Sequence, residues 1–442
     1  MIMKVLKFGG TSVGSVENMS NVKSIINDGK KKVVVLSAMS GTTNQLVAIA
    51  QDISDSKPNE AIEKINKLHE TYFVTIDTLL SNELLNKEVK TYVSGIFSFL
   101  VECTYKEASK LLDNQIVAQG ELLSTYMFNS YLKQEGIRSA LLPALDFMRI
   151  DDNKEPDLDY IKENFQVVLN AAEDSDIYIT QGFICLDDLG DISNLQRGGS
   201  DYTATIIGAA IKAEEVQIWT DIDGMHNNDP RYVENTKAIS NLSFEEAAEL
   251  AYFGAKILHP QTVTPVRADN IPVRLKNTMN PDAHGTLISS QTSGNGIKAI
   301  AAKDNITAIK IKSARMLQAH GFLKKVFEIF EKYETSIDMI TTSEVAVSLT
   351  IDDDKNLGKI LTELDEISLT EVDKNQSIVC LVGHSVVNHQ NTYKLFQILQ
   401  DTKIRMISYG GSKNNISLLV DTKDKINTLR KLNDYLFELV TL

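Results

Sequence analysis

The hydrophobic positions follow one rhythm over the first 290 residues. Short, nearly continuous apolar runs alternate with longer amphipathic stretches. Val33–Ser37 (VVVLS) is apolar throughout and bounded by polar residues, which predicts a buried parallel strand. Met3–Phe8 predicts a second strand, and Val16–Asp28 between them predicts a helix. Together they form a strand–helix–strand unit whose first turn is glycine-rich. Residues from about 45 to 135 carry apolar side chains at spacings of three and four, with a single proline at Pro58, and predict helices. Further strands are expected at Ser139–Pro143, Ile177–Phe183, Glu215–Thr220 and Pro272–Leu275, with a helix over Tyr202–Ile211. Alternation of this kind predicts an α/β fold over 1–290.

Ser289–Gly296 (SSQTSGNG) reads as a linker. Beyond it the pattern repeats. LKKVFEIF at 323–330 precedes IDMITTSEVAVSLTID at 337–352, and KLFQIL at 394–399 precedes IRMISYGGSKNNISLLVD at 404–421. Each copy reads helix, strand, turn, strand and a further helix. Two copies are too few for a solenoid and predict a pair of small α+β modules.

Composition narrows the function classes. The 442 residues exceed one ordinary domain, and 43% hydrophobic with 24% charged residues is ordinary for a globular chain. A net charge of −14 disfavours nucleic acid as a partner. No apolar run approaches the ~18–20 residues of a membrane span. The opening MIMKVLKFGG lacks the apolar core of a signal peptide. Cys103, Cys185 and Cys380 are far apart without CxxC spacing, so neither a disulfide framework nor a zinc site is expected. A cytoplasmic protein fits these features.

Two glycine-rich turns are candidates for chemistry. KFGGTSVG (7–14) ends a strand in two glycines, where backbone N–H groups can approach an anion beside Lys7. The same pattern serves equally as a tight strand-to-helix turn with a surface lysine. It matches neither the P-loop nor GxGxxG. QRGGSD (196–201) offers Arg197 for bidentate anion recognition and Asp201 to orient a lysine or a metal-bound phosphate. An aspartate-capped helix is the plainer alternative. WTDIDG (218–224 with its leading Ile218) suits a metal–nucleotide or a ribose, or simply a turn. Glu121, in QGELLS, reads as an acid favoured by a helix N-terminus, and His259 before Pro260 reads as structural. No defensible Ser–His–Asp order and no metal cluster are present in the sequence.

Six motifs occur together and in order: KFGGTSVG at 7–14, LSAMSG at 36–41, QGE at 119–121, RGGSD at 197–201, WTDIDG at 219–224 and FGAKILHP at 253–260. In this combination the chain resembles the aspartate kinases, over nearly its whole length. The resemblance implies an amino-acid kinase three-layer αβα sandwich over 1–290. Two α+β ACT (ferredoxin-like) modules over 297–442 follow, about 305–375 and 376–442, the second using a strand from 297–304. It implies phosphoryl transfer from ATP with Mg²⁺ to the β-carboxylate of L-aspartate, with no redox cofactor and no protein metal site; the alternatives are an amino-acid kinase for a glutamate-type substrate and a non-catalytic amino-acid sensor. Lys7, Gly9, Gly10 and Asp201 are then catalytic, with the two glycine N–H groups assisting Lys7. Ser37, Thr43, Glu121, Phe183, Arg197, Gly199 and Ser200 surround aspartate, Glu121 taking its ammonium and Arg197 its α-carboxylate. Thr220, Asp221, Arg231 and Lys256 line the nucleotide, and His226 stands where relatives carry an aromatic. The resemblance also implies feedback inhibition by L-lysine. Met316, Gly321, Phe322, Leu323, Ser336, Ile337, Asp338, Ser343 and Glu344 form the expected effector edge, with Asp338 receiving an ammonium. A homodimer or tetramer through the ACT modules is expected, without nucleic acid or membrane.

Overall fold

A computed structural model of the chain describes residues 3–195, 198–254, 258–291, 294, 296–313, 320–388 and 394–438. The chain divides into two compact bodies. The first comprises Met1–Met225, Ser240–Phe244 and Leu258–Gln291; the second comprises His226–Ile239, Glu245–Ile257 and Thr292–Leu442. Two excursions from the N-terminal half therefore belong to the second body.

In chain order the first body opens with β1 (Lys4–Phe8), α1 (Val16–Ile26) and β2 (Lys32–Leu36), the expected strand–helix–strand unit. Ser15 caps α1 by accepting from the Asn18 N–H at 3.2 Å, a contact that stabilises a helix end by ~1 kcal/mol. The helical stretch resolves into α2 (Thr42–Ser54), α3 (Pro58–Leu79), α4 (Glu83–Cys103) and α5 (Lys110–Gln134). Pro58 sits in the first turn of α3, where a missing N–H costs nothing. Next come β3 (Ser139–Leu142), α6 (Leu158–Ala171), β4 (Ile177–Gln181), the hairpin β5 (Ile184–Leu186) and β6 (Ile192–Asn194), α7 (Gly199–Ala210) and β7 (Val216–Thr220). The body closes with β8 (Asn241–Ser243), α9 (Thr264–Arg267), β9 (Val273–Asn277) and β10 (Thr286–Ser289), while α8 (Phe244–Tyr252), which follows β8, belongs from Glu245 onward to the second body.

Eight strands form one sheet in the order β3-β4-β2-β1-β7-β9-β10-β8. All neighbours are parallel except β9 and β10. Every residue of β2 is buried, as its unbroken apolar run demands. Leu6, Phe8, Val34, Leu36, Ile177 and Ile179 face a core built with α1 to α5. Helix α7 packs on the other side of the sheet, against β1, β2 and β7, and α6 and α9 pack against α7. Helix α5 is buried on nearly all sides from Ile116 to Leu132, which places polar residues of its interior inside the body.

The second body is built on a six-stranded antiparallel sheet, β12-β13-β11-β14-β16-β15. Its elements are β11 (Gly296–Lys312), α10 (Phe322–Lys332), β12 (Ile340–Thr342), β13 (Ala346–Ile351), α11 (Leu357–Asp365), β14 (Leu369–His384), α12 (Lys394–Ile398), β15 (Ile404–Tyr409), β16 (Asn415–Asp421) and α13 (Lys425–Asn433). The two repeats share the long strands β11 and β14. Residues 307–312 of β11 pair with β13 and 308–312 with 369–373 of β14, whereas 296–303 pair with 378–384, of which 378–382 in turn pair with β16. The register of β11 against β14 breaks between Lys303 and Ala308, where one repeat gives way to the other. Each repeat has its own apolar core. Among the described residues no helix is long and apolar enough to cross a membrane. Cys103, Cys185 and Cys380 are buried and free.

Candidate active site

The parallel strands β1, β2, β4 and β7 end together, so the turns that follow them share one edge of the sheet. Phe8 pairs with both Leu36 and Trp219, which sets the Gly9–Gly10 turn between Ser37 and Thr220. The Phe8 and Trp219 rings stack at 5.6 Å beneath it. At Gly10 an added Cβ would lie 2.9 Å from the Ala38 carbonyl oxygen, so only glycine lets the two turns close up.

Lys7 projects at this edge and is nearly buried. Its Nζ lies 2.7 Å from Asp201 Oδ1, in the first turn of α7. The two glycine-rich motifs are thereby joined by an ion pair across 194 positions of sequence, counted as 201 minus 7. Asp201 does not cap its helix, since the cap position is Gly198 in the left-handed region at φ 76°. The sequence reading placed the Gly9 N–H against a phosphoryl group. It instead donates to the Trp219 carbonyl oxygen at 3.3 Å, because the turn continues the β1–β7 ladder for one more bond. Gly9 contributes closeness, its missing Cβ leaving room beside Lys7 Nζ.

Ser37 Oγ donates to Ser200 Oγ at 2.9 Å, and Ser124 Oγ donates to the Ser37 carbonyl at 2.8 Å. Gly182 follows β4 so closely against α7 that a Cβ there would meet Ser200 Cβ at 2.3 Å. Phe183, next in the chain, adopts φ 70°, an uncommon conformation for a non-glycine residue, and the Thr203 hydroxyl accepts from its N–H at 2.9 Å. Phe183 and Thr43 line a cleft of about 260 Å³ together with Asn114 and Asn194. Gly199 lies against the Phe183 ring.

Glu121 is a buried carboxylate inside the body. The sequence suggested a helix start; it lies in the middle of α5, where Gly120 lets the helix pack against Ala38 and Leu46. The residue is 3% exposed. Oε1 accepts the Ala38 N–H at 3.2 Å, and Oε2 is buried without a partner. Burial pushes its pKa up to about 7, against the lowering effect of the Ala38 bond. Sequence pattern did not reveal Ser124 or Gly182. Their only signal is position, one helical turn after Glu121 and one residue after a buried strand.

Thr220 ends β7 at the same sheet edge, and Asp221 follows it. His226 and Arg231 belong to the second body. His226 Nδ1 meets Thr236 Oγ1 at 3.0 Å, and Arg231 forks onto Asp229 with its Nη2 2.6 Å from Oδ2. Arg197, Lys256 and Met316 lie outside the described residues. Among the described residues no group of three or more His, Cys, Asp or Glu gathers as a metal site.

The expected effector residues also fall in the second body. Gly321, at φ 89°, caps α10, which opens with Phe322 and Leu323. Ser336 and Ile337 lead to Asp338, and Ser343 with Glu344 form the turn between β12 and β13. The Asp338 carboxylate is inaccessible to solvent. Its Oδ1 accepts from Lys303 Nζ at 2.8 Å and from the Tyr252 hydroxyl at 2.6 Å, while Oδ2 has no partner. Burial raises its pKa above the usual carboxylate range, although Lys303 and Tyr252 act in the other direction.

Comparison with known proteins shows the family. Residues 3–277 match the amino acid kinase family, and residues 379–436 match an ACT domain. The chain is 35% identical to lysine-sensitive aspartokinase 3 of Escherichia coli, over 98% of this chain and 99% of that one. It is 34% identical to the chloroplastic aspartokinase 1 of Arabidopsis thaliana, over 98% of this chain and 80% of that one. The solved structure of E. coli aspartokinase III in complex with aspartate and ADP superposes with a TM-score of 0.85 at 34% identity, covering 99% of this chain and 100% of that one. The same enzyme with lysine and aspartate gives 0.80 at 35% identity, with the same coverage. The chain belongs to the amino acid kinase family and, within it, to the aspartokinases.

Proposed function

We infer that this chain transfers the γ-phosphoryl group of MgATP to the β-carboxylate of L-aspartate, releasing ADP and 4-phospho-L-aspartate. That reaction opens the route to lysine, threonine and methionine. The observation that carries the reading is the Lys7–Asp201 ion pair, set beside the Ser37–Ser200 contact at the sheet edge. It agrees with the aspartate and ADP bound by the E. coli relative.

The chemistry asks little of acid–base groups. Aspartate's β-carboxylate is ionised near neutral pH, so no proton need be removed before it attacks the γ-phosphorus. The bond from that phosphorus to the β,γ-bridging oxygen breaks as the acyl-phosphate bond forms, and ADP carries the electron pair away. What remains is positioning and charge stabilisation. Lys7 neutralises charge on the transferring group, and Asp201 holds Lys7 in place. Glu121 Oε2 accepts the substrate ammonium, and Arg197 forks onto the α-carboxylate. Ser37, Thr43, Phe183, Gly199 and Ser200 shape the remainder of the aspartate site, with Gly9 and Gly10 admitting the phosphoryl group. Thr220 and Asp221 serve the nucleotide together with His226, Arg231 and Lys256. Mg²⁺ enters on the phosphates of ATP.

Regulation by L-lysine is the second part of the proposal, with Asp338 receiving an ammonium beside the α10 N-terminus. A second copy of the chain, joined through the ACT sheets, completes the assembly. The test is hydroxamate trapping of acyl phosphate from L-aspartate, MgATP and enzyme, with and without millimolar L-lysine and with L-glutamate beside aspartate. Product from aspartate that lysine suppresses supports the whole reading. No product from aspartate overturns the catalytic half.

A further inference from the structure

Helix α8 makes contacts that phosphoryl transfer does not use. Glu246, Glu249 and Tyr252 recur every three positions and so lie along one side of the helix. Each bonds to another element of the second body, to which residues 245–257 themselves belong. Glu246, with no accessible side-chain surface, pairs with Lys298 of β11 at 2.8 Å. Glu249 accepts from Asn415 of β16. Tyr252 donates to Asp338 Oδ1 at 2.6 Å.

The last tie is part of an unbalanced charge cluster. Lys303 pairs with Asp338 and, at 2.7 Å, with Asp352, while its Nζ sits 4.3 Å from the centre of the Tyr252 ring. Among the described residues one cation thus serves two carboxylates, and the buried Asp338 Oδ2 remains open. A desolvated carboxylate with an unused oxygen and a net negative surrounding favours a further cation. An ammonium arriving at Oδ2 draws charge away from Oδ1 and competes with Tyr252 for the same group.

The chain connects this cluster to the catalytic turns. Upstream of α8, β8 pairs with β10 in the eight-stranded sheet. Downstream, His259 caps the short turn at 260–263 by accepting from the Gln261 N–H. That turn presses on the glycine loop, since a Cβ at Gly198 would lie 2.8 Å from Thr262 Oγ1 and 3.5 Å from His259 Cβ. Gly198 is three residues before Asp201, the partner of Lys7.

We propose that Tyr252 is the positioning residue through which occupancy of Asp338 reaches the Gly198–Asp201 loop, by releasing α8 and the turn that follows it. The proposal rests on the reading of Asp338 as the effector-ammonium site. Its experiment uses the full chain, with L-lysine titrated calorimetrically with and without L-aspartate, beside the residual activity at saturating lysine. In the wild type, lysine and aspartate weaken each other's binding reciprocally. In Tyr252→Phe, lysine affinity without aspartate stays within about threefold of wild type, whereas the mutual weakening and the inhibition fall by about fivefold or more. Hydrogen exchange over 245–254 of the wild type is a second readout, independent of any variant, and is expected to quicken when lysine binds. A Tyr252→Phe protein that binds lysine and is inhibited as strongly as the wild type overturns the coupling and leaves the effector site standing. Unchanged exchange overturns it equally. A wild type that binds no lysine overturns the effector reading and the coupling with it.

Discussion

Protonation of Glu121 gives the sharpest test of the aspartate site. The free enzyme holds this carboxyl with its pKa pushed up to about 7 by burial, and Oε2 has no partner until an ammonium arrives. Only the ionised form accepts that ammonium with full strength. The ionised fraction falls about fivefold between pH 7 and pH 6, and kcat/KM for aspartate should fall with it. Once aspartate is bound, its ammonium holds Glu121 ionised, so kcat at saturating aspartate should stay nearly flat over the same range. Neither aspartate's β-carboxyl nor its ammonium titrates there. The assay is the initial rate of acyl-phosphate formation at saturating MgATP, from pH 5.5 to 8.5. Glu121→Gln keeps the shape and the Ala38 contact but removes the charge. Hydrogen bonds to charged groups contribute ~1.5–3 kcal/mol, so KM should rise by about 10- to 150-fold. The acid limb of kcat/KM should vanish in the variant. A Gln enzyme that retains the limb, or keeps the wild-type KM, refutes the assignment of Glu121 to the ammonium.

Four further outcomes follow from the geometry. Lys7→Met should lower kcat by about 10²- to 10³-fold with little change in aspartate KM, because its charge acts on the group in transfer; stopped-time hydroxamate assays read this directly. Gly182→Ala forces a Cβ to 2.3 Å from Ser200 Cβ, so it should destabilise the fold by ~1–3 kcal/mol in denaturant titrations and raise aspartate KM by displacing Ser200. Asp338→Ala should raise the lysine concentration for half-inhibition by about tenfold or more. His69, set between Phe73 and Phe97 with Nε2 buried and unpartnered, has its pKa lowered from 6.5 by burial; the unfolded chain then binds the extra proton first, so stability should decline as pH drops below 6.5, and His69→Phe should flatten that slope in urea midpoints.

Local pattern carried most of the fold. β2 was legible because a strand buried on both faces shows as an unbroken apolar run, and β1 and β4 because short, mostly apolar runs mark them. The three-residue strands β5, β6 and β8 were not, because segments so short sit inside turn-rich sequence and owe their pairing to neighbours. Glu121 was legible as a site residue only through family motifs. By local pattern its glycine neighbour signals a helix boundary, yet the helix runs straight through and uses that glycine for packing. The engaged N–H of Gly9 was equally hidden, since a glycine pair announces close approach and says nothing about which carbonyl is nearby. Least legible was the cluster at Asp338. Tyr252 and Lys303 precede it by 86 and 35 positions, and neither lies in a recognisable motif.

Glu121 and Asp338 share a physical design, although they stand in different bodies of the chain. Each is buried and keeps one oxygen without a partner, although Glu121 Oε1 accepts only a backbone N–H whereas Asp338 Oδ1 accepts from Tyr252 and already pairs with Lys303. Burial raises the pKa of both. A buried carboxylate oxygen left open favours a cation placed against it, so it discriminates amino acids by charge and placement more than by contact area. In this chain the same device would read the substrate at one site and the inhibitor at the other. Acidification then acts on both in the same direction, protonating each carboxyl and weakening each ammonium. Loss of aspartate affinity lowers flux, while loss of lysine affinity relieves inhibition. The two effects oppose one another, so flux in the presence of lysine should vary less with pH than flux in its absence.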